Sequence, residues 1–310
     1  MAKKKQFHSN FDTSFEHLFN NFQTFQKAKG VSEDTLKNYV YNFRAFAQFL
    51  DTSKSVEAIT EDEINQMVVQ MRDSGLSHNT ISTRLRILRT FYNWCRGQGF
   101  DVIHIQSMQD KETVKETYTD EELLKLLKRP DKNCEFDEFR NWVIINFLMN
   151  SGCRLSTILN IQNRDVDLEY KQVIYRHNKN NKVQTIPLCL QMTLILDEYM
   201  KIRQGKPEDY LFCTQYGEQM EKRGFQTAIA RYNHARGVER TGIHKFRHTF
   251  ARKFLIDCGG DAFTLQKLLG HSTLQMTKRY CQIYDRDIAN NYDAMSPLVH
   301  LQKKKEKIKK

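Results

Sequence analysis

Four separated segments carry polar residues that core packing alone does not ask for. They are Ser151-Gly152-Cys153-Arg154-Leu155-Ser156, the turn Asn178-Lys179-Asn180-Asn181-Lys182, Ile243-His244-Lys245-Phe246-Arg247-His248, and Leu268-Leu269-Gly270-His271 with Tyr280 nine residues further on. A phosphodiester resists nucleophilic attack until its negative charge is neutralised. Two permanently charged, forked guanidiniums such as Arg154 and Arg247 can grip both of its non-bridging oxygens. A tyrosine hydroxyl, with an ordinary pKa of about 10, is protonated at neutral pH, so Tyr280 becomes a nucleophile only beside a base or in an electropositive pocket. His244 and His271 are the candidate neighbours. His244 and Arg247 lie three residues apart and share a face if that segment is helical. A lysine at the tip of a hairpin, Lys179 or Lys182, could reach a groove and protonate a departing oxygen.

The elements that must position these groups are legible in the apolar spacing. Leu36, Tyr39, Val40, Phe43 and Phe46 recur at three and four after Ser32. Thr60 and Glu63 form a capping box ahead of Ile64, Met67, Val68 and Met71, with Gly75 as the stop. Ser77 opens a third helix that buries Ile81, Leu85, Leu88 and Tyr92, projects Arg84, Arg86 and Arg89 elsewhere as candidate DNA-backbone contacts, and ends at Gly97. A second capping box, Thr119 with Glu122, launches a mixed region. Helices are expected at about 120–128 and 136–150, strands at 173–175 and 183–186 flanking the lysine turn, and helices at 190–203, 225–235 and 244–258, with a short one before Gly270. The fold class expected is mainly α with a small β-sheet or hairpin. The division expected is a helical domain over 1–108, a linker over 109–118, an α+β domain over 119–300, and a basic tail over 301–310.

Composition narrows the partners. With 40% hydrophobic residues the chain can bury a core, and 48 Lys and Arg against 37 Asp and Glu give a net charge of +11, which suits a polyanion. The longest apolar stretch, Trp142 to Ile145, is far short of the roughly 20 residues of a membrane span. The N-terminal segment lacks a secretory pattern, so a cytoplasmic protein without membrane partners is expected. Seven widely spaced cysteines read as reduced thiols. His244 and His248 have zinc-helix spacing, but Lys245 stands where a metalloprotease helix would carry its glutamate and no third ligand is evident, so no metal is assigned.

Taken in order, these segments resemble the tyrosine site-specific recombinases of the phage integrase family, with the likeness strongest to short Xer-type members. The resemblance covers most of the chain. It implies a SAM-like, helical core-binding domain, a catalytic domain with Arg154 and Arg247 as phosphate clamps, Lys179 as general acid in preference to Lys182, His244 and His271 as supporting histidines, and Tyr280 as nucleophile. Lys182 then counts as a DNA contact. Where the family usually carries a glutamate after its aliphatic-Ser pair, this chain has Thr157. The implied activity is cutting and rejoining of duplex DNA through a 3′-phosphotyrosyl intermediate and a Holliday junction, by a homotetramer on paired sites, alone or with a second recombinase or accessory factor. Integration or excision of a mobile element and resolution of DNA dimers both fit. No cofactor is called for, because one phosphodiester is exchanged for another. A type IB-like topoisomerase and a non-catalytic DNA-binding regulator are the alternatives.

Overall fold

The computed structural model describes residues 12–108, 116–176, 183–278, 280, 292, 296, 298 and 299. Lys179, Lys182, most of the expected linker and the basic tail lie outside the described residues. The chain divides into two compact units, Met1–Thr113 and Val114–Lys310.

The first unit is helical. It comprises α1 (Phe15–Ala28), α2 (Glu33–Phe46), α3 (Glu61–Asp73) and α4 (His78–Gly97). Hydroxyls start three of them: Ser14 accepts from the His17 amide, Ser77 from the Thr80 amide, and Thr60 and Glu63 form the expected reciprocal box. Phe15, Phe19, Phe22, Phe46, Phe91 and Tyr92 fill the core, with Phe19 stacked on Phe43 at 4.6 Å and Phe15 edge-on to Phe91 at 4.9 Å.

Helix α4 ends at Gly97, as expected, and the left-handed residue after it is Gly99, at φ +98°. Its buried surface is wider than the expected stripe, since Ile87 and Phe91 are covered as well as Ile81, Leu85, Leu88 and Tyr92. Arg84, in the row of Ile87 and Phe91, is therefore buried, whereas Arg86 is exposed. Arg89 is half-buried, with its Nε donating to the Ile105 carbonyl at 2.7 Å.

The second unit is built around α6 (Phe136–Ser151), whose middle, from Phe139 to Leu148, is largely buried, Arg140 and Asn141 included. Before it stands α5 (Asp120–Leu127). After it come α7 (Leu155–Ile158), a 3-10 turn at Asn163–Asp165, and strands β1 (Val166–Asp167), β2 (Gln172–Tyr175) and β3 (Gln184–Pro187). The strands form one antiparallel sheet in the order β1-β2-β3, with Val173 opposite Val166 and Ile186. The fold is thus mainly α with a small sheet, as expected, and β1 is an addition to the anticipated hairpin. The chain continues through α8 (Leu190–Arg203), α9 (Lys222–Ala235), α10 (Ile243–Ile256), α11 (Ala262–Leu269) and α12 (Leu274–Lys278). Tyr118, counted in the linker by sequence, packs into this unit: its ring stacks on Phe246 at 4.2 Å and its amide donates to Thr249 Oγ1.

Gly152 ends α6 in the left-handed conformation, at φ +57°. A Cβ there would lie 2.4 Å from the Phe250 ring and 2.9 Å from Leu269, so only glycine fits. Gly217, at φ +84°, faces open space. Gly217→Ala should cost about 1 kcal/mol from backbone strain alone. Gly152→Ala should cost about 3 kcal/mol, because steric overlap adds to that strain. Urea unfolding of both variants measures the difference, and equal losses would mean that the Gly152 surroundings yield without cost.

Candidate active site

The second unit brings its two key arginines to the same backbone oxygen. Arg154 stands at the N-cap of α7, two residues beyond the left-handed Gly152, and Arg247 projects from the first turns of α10. Arg154 Nη1 donates to the Leu269 carbonyl at 3.3 Å, and Arg247 Nη2 donates to the same oxygen at 2.9 Å. Arg247 Nη1 also donates to the Gly152 carbonyl at 2.8 Å. Leu269 is the last residue of α11, where helix carbonyls lack internal partners and the helix dipole is negative. The neighbouring carbonyls are taken as well: Gln184 Nε2, from β3, donates to the carbonyls of Lys267 and Leu268. A Cβ on the following residue, Gly270 at φ +61°, would lie 2.7 Å from Gln184 Oε1. The strand that follows the lysine turn is thereby tied to the helix end that holds the arginines.

Arg247 is buried, at 4% exposure, and among the described residues neither Arg247 nor Arg154 is paired with a carboxylate. Burial and the nearby Arg247 charge even lower the Arg154 pKa. Two cations so close, held by carbonyl dipoles and, for Arg247, the His271 ring, create an electropositive pocket that favours an anion.

The histidines respond to that field. Arg247 Nη2 lies 2.8 Å from His271 Nε2, and His271 Nδ1 lies 2.8 Å from Thr277 Oγ1. A guanidinium only donates, so this contact calls for an accepting Nε2, which a neutral ring protonated on Nδ1 provides. Burial first, then Arg247 and Arg154, push the His271 pKa down to about 4. His244, on the exposed side of α10, is lowered by partial shielding from water and by Arg247, Arg154 and Lys222. The half-buried Tyr280 ring stacks on His271 at 5.7 Å and 13°, and tilts against His248 at 5.2 Å. It is also within electrostatic reach of Arg154.

A profile of the phage integrase family matches residues 116–286, and one of the phage integrase N-terminal SAM-like domain matches residues 18–100. The chain belongs to the phage integrase family. Tyrosine recombinase XerC of Thermodesulfovibrio yellowstonii is 27% identical over 285 residues, covering 87% of this chain and 92% of that protein. XerC of Bacillus licheniformis is 26% identical over 291 residues, covering 89% and 94%. Among solved structures, a lambda integrase tetramer bound to a Holliday junction aligns with a TM-score of 0.71 at 18% identity, covering 88% of this chain and 78% of that one. The Tn1549 transposon integrase in complex with a circular intermediate DNA aligns with a TM-score of 0.71 at 18% identity, covering 91% and 99%. These structures share the fold. The protein is an Xer-like tyrosine recombinase, a DNA strand transferase.

Of the residues singled out in the recombinase sequence, Arg154, His244, Arg247, His271 and Tyr280 gather here, while Lys179 and Lys182 lie outside the described residues. Arg84, Arg86 and Arg89 belong to the other unit. Thr157, in place of the family's glutamate, is buried, and its amide donates to the Arg154 carbonyl at 3.0 Å. Sequence reasoning missed Thr277, Gln184, the Leu269 carbonyl and Lys222. Only Lys222 left a signal: α9 opens on Lys222 and Arg223 with no acidic residue in its first turn, against the helix dipole.

A neutral histidine also sets an acid limit. The His271 pKa is about 4 in the folded chain against 6.5 as the ordinary value, so between those pH values the unfolded chain binds more protons. The stability associated with neutral His271 is complete above about pH 6.5 and falls as the pH drops toward 4. His244, shifted the same way, adds to the slope. Denaturant midpoints between pH 7.5 and 5 should fall less steeply for His271→Gln than for the unaltered protein; parallel curves would refute this origin.

Proposed function

We propose that this recombinase cuts and rejoins duplex DNA at paired sites, with Tyr280 as the nucleophile. The observation that carries this reading is the convergence of Arg154 and Arg247 on one carbonyl in the Tyr280 neighbourhood, without a carboxylate among the described residues to quench them. A phosphate entering the pocket replaces weak carbonyl dipoles by a full negative charge. The guanidiniums then stabilise the additional charge that develops on its non-bridging oxygens.

Tyr280 Oη forms a bond to phosphorus as the bond to the 5′ oxygen breaks, leaving a 3′-phosphotyrosyl link. The phenolic proton leaves Tyr280, and a hairpin lysine, Lys179 by its family register, supplies a proton to the 5′ oxygen. Attack of that hydroxyl on the equivalent link in a partner duplex reverses the chemistry and joins the strands. A His271 pKa of about 4 makes it a weak base, so its role is to hold Arg247 and the Tyr280 ring in place. Four protomers on two duplexes, passing through a Holliday junction, agree with the assembly named for lambda integrase. Integration or excision of a mobile element and resolution of dimers use this same chemistry. A location in the cytoplasm with the DNA fits this reaction. In the first unit, Arg86 is the exposed candidate for a DNA-backbone contact, whereas Arg84 is buried and Arg89 donates to the Ile105 carbonyl.

Nicked duplexes tiled from the DNA flanking the gene should yield a covalent protein–DNA adduct on a denaturing gel. Tyr280→Phe should abolish it, and Arg247→Ala should slow it by about 10²–10³-fold. Relaxation of any supercoiled plasmid by the protein alone would favour a topoisomerase, and unchanged function of Tyr280→Phe would favour a regulator. Binding to the trapped site should weaken by about 10³-fold or more between 50 and 200 mM salt if six to ten phosphates are touched; a flat response would exclude so extended a contact.

A further inference from the structure

We propose that Thr277 is a positioning residue of this site, whose side chain fixes which nitrogen of His271 carries the proton while its backbone carbonyl holds the main chain of Tyr280. The inference rests on Tyr280 being the nucleophile and adds a residue that is outside the phosphate clamp.

Thr277 is fully buried in α12. Its Oγ1 is 2.8 Å from His271 Nδ1, and its carbonyl accepts the Tyr280 amide at 2.8 Å. On the far side of the imidazole, Arg247 Nη2 is 2.8 Å from Nε2. The logic of the chain of contacts is directional. Arg247 has no lone pair to offer, so Nε2 must be the acceptor, and a neutral ring then has its one N–H on Nδ1. That hydrogen needs an acceptor in a buried place, and Thr277 Oγ1 is there to receive it.

Remove the oxygen, and the Nδ1 hydrogen is stranded. The Nδ1–H tautomer then loses its acceptor and its advantage at this end of the ring, and the alternative with the proton on Nε2 sets a donor against the Arg247 donor and pushes the guanidinium from the position shared with Arg154. The same residue governs the nucleophile, since Tyr280 stacks on this imidazole and hangs from the Thr277 carbonyl. The charged and titratable groups facing His271 are Arg247 from α10, Arg154 at the start of α7, and Tyr280 itself. None of them accepts a proton at Nδ1 in place of Thr277.

The test uses the full-length protein with ¹⁵N-labelled histidine, in which two-bond nitrogen–proton correlations report the tautomer and His271→Gln identifies the signal. The unaltered protein should show the proton on Nδ1; a proton on Nε2 overturns the proposal without any further variant. Thr277→Ser should keep that tautomer. Thr277→Val, close in shape but without the oxygen, should lose it. In single-turnover trapping on nicked DNA, Thr277→Val should form adduct about 10–100-fold more slowly with its DNA affinity retained, and Thr277→Ser should approach the unaltered rate. Should Thr277→Val fail to fold, Thr277→Ala carries the same comparison. A valine variant with the original tautomer and rate refutes the inference, as does a serine variant as slow as valine, which would assign the effect to methyl packing. An adduct that persists in Tyr280→Phe sinks the assignment of the nucleophile instead, and leaves the tautomer measurement standing.

Discussion

The site depends on the exposed end of one short helix. An eight-residue helix such as α11 has no internal partners for its last carbonyls, and here every one of them is engaged from elsewhere. The His271 amide takes Gln266, Gln184 takes Lys267 and Leu268, and both arginines take Leu269. Unmet hydrogen-bonding capacity thus becomes the device that assembles residues separated by more than a hundred positions. No acidic side chain is needed, and that matters chemically. A carboxylate would satisfy the guanidiniums fully and compete with phosphate, whereas a carbonyl dipole orients them while leaving most of their charge unspent.

The remaining parts follow from holding two cations in a partly dry place. An adjacent imidazole cannot also be charged, so His271 is neutral and turns a lone pair toward Arg247. The backbone beneath must be rigid enough to resist the repulsion between the guanidiniums. That rigidity comes from the largely buried α6 and from the close approach at Gly152, which brings its carbonyl to Arg247 and its Cα against the Phe250 ring.

Residue type and order singled out the candidate groups before any coordinates, because a tyrosine, two arginines and two histidines in this order are individually common and jointly rare. Capping boxes at Thr60 and Thr119 located helix starts, since their geometry is local and repeats in sequence. What could not be read was anything relying on backbone atoms. The Leu269 carbonyl has no letter in the sequence, and Thr277 looks like any helical threonine until the fold brings Nδ1 to it. Arg84 failed for another reason: one apolar stripe was counted where α4 is covered across two, and a row containing Ile87 and Phe91 carries its arginine inside with it.

The unquenched pair of guanidiniums also ties the stability of the protein to its ligand. Without an anion the folded state bears the mutual repulsion of Arg154 and Arg247, and a phosphodiester bound as proposed would remove that repulsion only while the fold is intact. Mass action then makes the melting temperature a function of phosphate-backbone concentration, by RT ln(1 + [L]/Kd). On the proposed function, the protein would be least stable to unfolding when no phosphodiester is bound.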